Sequence, residues 1–138
     1  MSVFKFIPLF VYLLIAYLIV FAVQGENATT VLSSVIVSIN LFSGAVFNLT
    51  WNGVLLNLGI IFLFIEIIKS TRTTNASIID HMLSALVFIG FLVVFIVMKG
   101  AASEAFFVIM MMSLVDVIAG FSITITSARK DFSVDRQL

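Results

Sequence analysis

Val35-Ile-Val-Ser-Ile-Asn-Leu-Phe-Ser-Gly-Ala-Val-Phe-Asn-Leu-Thr-Trp51 lies inside a longer stretch, 27–65, that contains no charged residue. The conformation of this segment decides whether the chain has four membrane spans or five. As a helix, residues 31–51 would leave only Asn52 and Gly53 to reverse direction before the next apolar run. They would also put Lys69 and Arg72 on the side opposite to most of the basic residues. The side chains instead alternate with period two. Val35, Val37, Ile39 and Leu41 fall on one side, with Ser34, Ser38 and Asn40 opposite; Phe47, Leu49 and Trp51 then alternate with Val46, Asn48, Thr50 and Asn52. That is the period of a strand, in which successive side chains point to opposite faces. Ser43-Gly44-Ala45 is a suitable tight connection, so the segment reads as a β-hairpin over 35–51, outside the membrane, with Trp51 at the interface where its amphipathic ring is favoured.

Outward from the hairpin, the chain is 62% hydrophobic and 10% charged, with a mean hydropathy of +1.29. Soluble domains carry about 25% charged residues, so most of this chain is expected to have lipid as its solvent. A helix needs about 20 apolar residues to cross roughly 30 Å of hydrocarbon. Runs of that kind predict helices at about 4–23, 53–69, 78–98 and 105–126, with 127–138 as a short interfacial or disordered tail. Pro8 falls in the first turn of the first helix, where its missing backbone donor would be unpaired anyway. The first run is longer than a signal-peptide core and no small-x-small site follows, so it reads as a retained helix. The fold class is therefore an all-α membrane protein: a four-transmembrane-helix bundle with an extracytoplasmic hairpin between helices one and two.

Lys5, Lys69, Arg72, Arg129, Lys130 and Arg136 fall on one side of this arrangement and Lys99 on the other. Positive charge is retained on the cytoplasmic side, which predicts cytoplasmic termini and a cytoplasmic 69–77 loop. The chain has no cysteine, which excludes disulfides and thiolate metal sites.

A two-stranded hairpin is marginal in water by itself. Its apolar, uncharged edges lack the Lys or Pro that block further pairing. Ile39, Leu41, Phe47, Leu49 and Trp51 are accordingly candidates for contact with another copy, the alternative being that the hairpin caps its own bundle.

Candidate polar sites lie within the apolar helices. Asp116 sits near the middle of the last run, and Ser113, Asp116, Gly120 and Thr124 follow one another at helical spacing, forming one small and polar ribbon. Small residues permit close helix approach in lipid and hydroxyls bond across the contact, so the ribbon reads as a packing seam. A charge at the bilayer centre costs about 2.5–3.5 kcal/mol on insertion scales, which calls for a partner, a wet cavity or protonation at Asp116. Glu66 stands three residues before Lys69, a spacing that allows an intrahelical pair, and an antiparallel neighbour would bring it toward His81 or Arg72. Ser77-Ile-Ile-Asp80 matches a capping box, with Ser77 as N-cap and Asp80 reaching back to the first amides. His81, the single histidine, reads as an interfacial hydrogen-bonding residue, because no acid stands at i+3 or i+4 to complete a metal motif.

Phosphate loops, nucleophile elbows, zinc motifs and EF-hand loops are missing, so neither a catalytic residue nor a cofactor is expected. Basic residues are too few for a nucleic-acid surface. The expected partners are the lipid bilayer and either further copies or other membrane subunits. Phe64-Ile-Glu-Ile-Ile-Lys-Ser-Thr-Arg72, Ile78-Ile-Asp-His-Met-Leu-Ser84 and the ending Gly120-Phe-Ser-Ile-Thr-Ile-Thr-Ser-Ala-Arg-Lys-Asp-Phe132 resemble small uncharacterised four-helix inner-membrane proteins of alphaproteobacteria. The resemblance covers the last three helices and implies a bacterial cytoplasmic membrane, or a phage of such a host, with no activity attached. The expected role is structural, as a subunit of a homo-oligomeric or larger complex. The alternatives are an oligomeric ion or proton conductor and a phage-type membrane-permeabilising protein.

Overall fold

Pro8 begins the first turn: its carbonyl accepts from the Val11 amide at 3.1 Å, and α1 runs from there over Phe10–Gln24. The computed structural model describes residues 7–71 and 76–135, without the side chains of 76, 77 and 130–135. After α1 the chain breaks at Gly25, whose φ of 53° no β-carbon hinders, passes a single tight turn and resumes as α2, Ala28–Ser33. The reading from sequence places a loop here. A second helical piece forms because Ala28 and Leu32, one turn apart, both bury against the bundle.

Strands β1, Val35–Asn40, and β2, Val46–Thr50, then form an antiparallel hairpin. Ile39 pairs with Phe47, Val37 with Leu49, and Ser38 with Asn48, whose side chains are hydrogen-bonded at 2.7 Å. The turn is Phe42-Ser43-Gly44. The Gly44 amide donates to Leu41 O and the Leu41 amide to Ala45 O, each at 2.9 Å, while Gly44 takes φ 83°. This is the three-residue loop in which a glycine supplies the left-handed position. Leu41 and Trp51 thus lie outside the strands, although the alternation includes them. An irregularity between Val35 and Val37 leaves Ile36 unpaired, so Val35 no longer keeps step with Val37.

Trp51 instead begins α3, Trp51–Ser70, directly after β2. Thr50 is the N-cap: its extended backbone turns the chain, and its hydroxyl accepts from the Gly53 amide at 3.1 Å. Helix α4 covers Ala76–Val97 and α5 covers Glu104–Asp135. The last helix continues well past 126 into the segment expected as a tail, since no glycine or proline follows Gly120 to stop it.

The structure is thus mostly helical and, among the described residues, has four segments long and apolar enough to cross a membrane: Phe10–Ser33, Trp51–Ser70, Ile78–Val97 and Glu104–Arg129. The outer surfaces of these helices are apolar; Phe64, for example, is 65% exposed. Helix α5 packs along α3 and α4, and α1 lies against both of those. At the hairpin end an aromatic cluster fills the interior. Phe106 meets Tyr17 edge-on at 4.9 Å between ring centres, Phe91 at 5.5 Å and Phe21 at 6.0 Å.

Candidate functional site

The opposite end of the bundle is polar inside. Glu66, Ser70, Asp80, His81, Ser84, Ser113 and Asp116 are all buried, and all come from α3, α4 and α5. Helical spacing explains how each helix aims its group inward. Glu66 and Ser70 are four apart on α3; Asp80, His81 and Ser84 lie within four residues on α4; Ser113, Asp116 and Gly120 continue one face of α5.

Lys69 joins the first two helices. Its ammonium is 2.8 Å from Glu66 Oε2 and 3.2 Å from Asp80 Oδ1, so a single cation bridges an acid on its own helix and one on the next. Glu66 also accepts from the Leu9 amide at 2.6 Å, which pins the start of α1 to α3. The carboxylate thereby satisfies a backbone donor at a helix start. Asp80, expected as part of a capping box, makes this ion pair; the Ser77 side chain and Arg72 lie outside the described residues.

Helix α5 lies tight against α4 at Gly120. A methyl group there would overlap the His81 ring, so the imidazole occupies the space that any side chain would need. His81 Nε2 and Thr124 Oγ1 are 2.9 Å apart, and the Thr124 hydroxyl lies 3.0 Å from Gly120 O. One turn earlier, the Asp116 carboxyl lies within reach of the Ser84 hydroxyl across the two helices. Ser113, a further turn back and 1% exposed, has a hydroxyl with no hydrogen-bonding partner among the described residues.

The structure therefore brings Glu66, Asp80, His81, Ser113, Asp116 and Thr124 to one interhelical seam. The hairpin residues Ile39, Leu41, Phe47, Leu49 and Trp51 stand apart from it: all except the half-buried Leu49 are exposed. Ser84 and the Leu9 amide belong to the seam without having been singled out in the sequence. The signal for Ser84 was there, since it completes a polar face with Asp80 and His81 at helical spacing. Nothing in a sequence points to a backbone amide as the partner of an acid fifty-seven positions away.

Comparison with known proteins gives no relatives: no family model matches the chain, and no curated protein or solved structure matches it either.

Proposed function

We propose that this chain is a multi-pass membrane protein with an assembly role, a small subunit that associates with further copies of itself or with other membrane subunits. The observation that carries this reading is the hairpin. Every residue of β1 is exposed, the sheet stops at two strands, and Val37, Ile39, Val46 and Phe47 present apolar surface without one charge to deter a neighbour. Uncharged, apolar edges of this kind invite strand pairing. A hairpin that rests on little of its own chain gains most of its stability from what it pairs with.

In this reading the four long apolar helices cross a bacterial cytoplasmic membrane and the hairpin stands on the outer face. Lys69 and Arg129 lie toward one end of the helices and Lys99 toward the other, a distribution that favours cytoplasmic termini.

The test is the mass of the assembly extracted in mild detergent, measured by light scattering with the detergent contribution removed. The wild-type chain is expected as an oligomer, and Ile39→Lys together with Phe47→Lys should reduce that mass while leaving the helical content intact. A monomeric wild type, or an assembly unaltered by both lysines, would remove the hairpin as its basis.

A further inference from the structure

Helices α3, α4 and α5 bury three carboxyl groups, and their charges are not matched alike. Glu66 has the Lys69 ammonium and the Leu9 amide, and Asp80 has Lys69. Among the described residues Asp116, 4% exposed, has the Ser84 hydroxyl beside it and is in no ion pair, while both ion pairs found there use Lys69. If Glu66, Asp80 and Lys69 are all charged, the described residues of the seam already hold one more negative than positive charge. An ionised Asp116 would add a second, and an uncompensated buried charge is strongly disfavoured. Among the described residues the charged groups nearest in influence to Asp116 are Glu66 and Lys69 from α3 and Asp80 from α4; His81, also on α4, packs one turn away against Gly120. Helix α1 carries no charged residue, and the Leu9 amide at its start donates to Glu66.

A second observation bears on the same place. Ser113 stands one turn before Asp116 on the same face of α5, and its hydroxyl is buried without a hydrogen-bonding partner among the described residues. A carboxylic acid has an O–H to donate that a carboxylate lacks, and a hydroxyl oxygen can receive it. Among the described residues no three histidine or acidic side chains converge to hold a metal ion.

We propose that Asp116 is a proton-exchange site within the α3–α4–α5 seam, bonded to Ser84 in both states and to Ser113 when protonated, and reached from the end of the bundle that carries Lys69. Protonation converts a carboxylate and a hydronium ion into a carboxylic acid and water, with nothing oxidised or reduced. The Lys69 side chain, 23% exposed, is where the buried network meets its surroundings, and Asp80, Ser84 and Asp116 follow inward. The chemistry goes beyond the assembly role, because each protomer carries a complete site whether or not hairpins pair.

The experiment is infrared difference spectroscopy of the full-length protein in lipid nanodiscs, stepped through pH. The wild type should show the carbonyl stretch of a carboxylic acid that appears and disappears with pH. Asp116→Asn should abolish it and Asp80→Asn should retain it. Ser84→Ala should raise the midpoint by up to about tenfold in proton affinity, because the hydroxyl bonds the carboxylate more strongly than the neutral acid and its loss costs the charged form more. A band that survives Asp116→Asn, or no titrating band in the wild type, would overturn the assignment. So would a midpoint that follows sodium concentration at constant ionic strength, since the site would then bind a metal cation. If Asp116→Asn does not fold, Ser84→Ala decides, and an unshifted midpoint there sinks the proposal. Assembly mass is read on the same samples, so loss of oligomers with an intact band strikes only the hairpin reading.

Discussion

At the hairpin end of the bundle Phe106 is enclosed by Tyr17, Phe21, Phe91 and Phe95, whereas at the opposite end Lys69, Glu66 and Asp80 are joined by charge and His81 meets Thr124 by a hydrogen bond. The two ends solve one problem differently. In the membrane setting proposed above, apolar helix faces gain nothing by leaving the solvent, so association would rest on close packing and on polar bonds. The aromatic end relies on packing, and α1 contributes Tyr17 and Phe21 to it. The polar end relies on directed bonds between α3, α4 and α5, and α1 reaches it through the Leu9 amide alone among the bonds described. Shape should therefore govern the first end and charge balance the second.

The largest effect is expected at Phe106. Phe106→Ala empties the centre of the aromatic cluster, and buried Phe→Ala changes cost about 3–5 kcal/mol. Unfolding the purified protein by titrating a denaturing detergent into mixed micelles measures this, and a loss below about 1 kcal/mol would show that the end collapses around the gap. Lys69→Met comes next. It leaves Glu66 and Asp80 buried without their cation, and breaking a buried pair costs about 3 kcal/mol or more, with the low end expected because Lys69 is partly exposed. Lys69→Arg should recover much of that loss; equal losses with Met and Arg would mean that geometry, and not charge, holds this end.

Gly120→Ala tests whether the polar end is also tightly packed. The added methyl meets the His81 ring, and overpacking of this kind costs about 1–3 kcal/mol. In a His81→Ala background the same methyl should be nearly free, because the ring it overlaps is gone. Additive losses in the double variant would place the strain elsewhere.

Local periodicity made much of this fold legible. The period-two alternation through Val35–Trp51 marked a hairpin, and the spacing of Ser113, Asp116 and Gly120 marked a face of α5 that the structure buries. Periodicity tells which residues share a face and says nothing about what that face meets. That Asp116 finds Ser84, that Lys69 reaches Asp80 on the next helix, and that Glu66 holds the Leu9 amide depend on the register between helices, which side-chain size and turn geometry set together. The same limit applies to ends. Trp51 continues the alternation, so it read as strand, yet Thr50 caps a helix there and changes the period at that position. Ile36 read as one step of a regular strand, and its unpaired place depends on how β1 meets β2 at the foot of the hairpin.

The smallest expected effect lies at the joint between hairpin and bundle. Strand β2 ends at Thr50 and α3 starts at Trp51, with no linker to absorb a change of direction. Three groups hold this turn: the Thr50 hydroxyl accepts from Gly53, the Trp51 amide donates to Ser34 O at 3.4 Å, and Leu49 packs close against Gly53. Thr50→Ala removes the first and leaves a helix-start amide without its acceptor, a loss of about 1 kcal/mol in typical N-caps. The global unfolding midpoint should therefore fall only slightly. Hydrogen exchange should change more sharply and locally, with faster exchange at Gly53 and Val54 and unchanged protection around Phe106 and Asp116. Thr50→Ser keeps the hydroxyl and should restore slow exchange. Should Thr50→Ala instead accelerate exchange at Asp116, the hairpin and the polar seam would be parts of one cooperative unit, and the contrast between the two ends would have to be redrawn around α3, the helix that joins them.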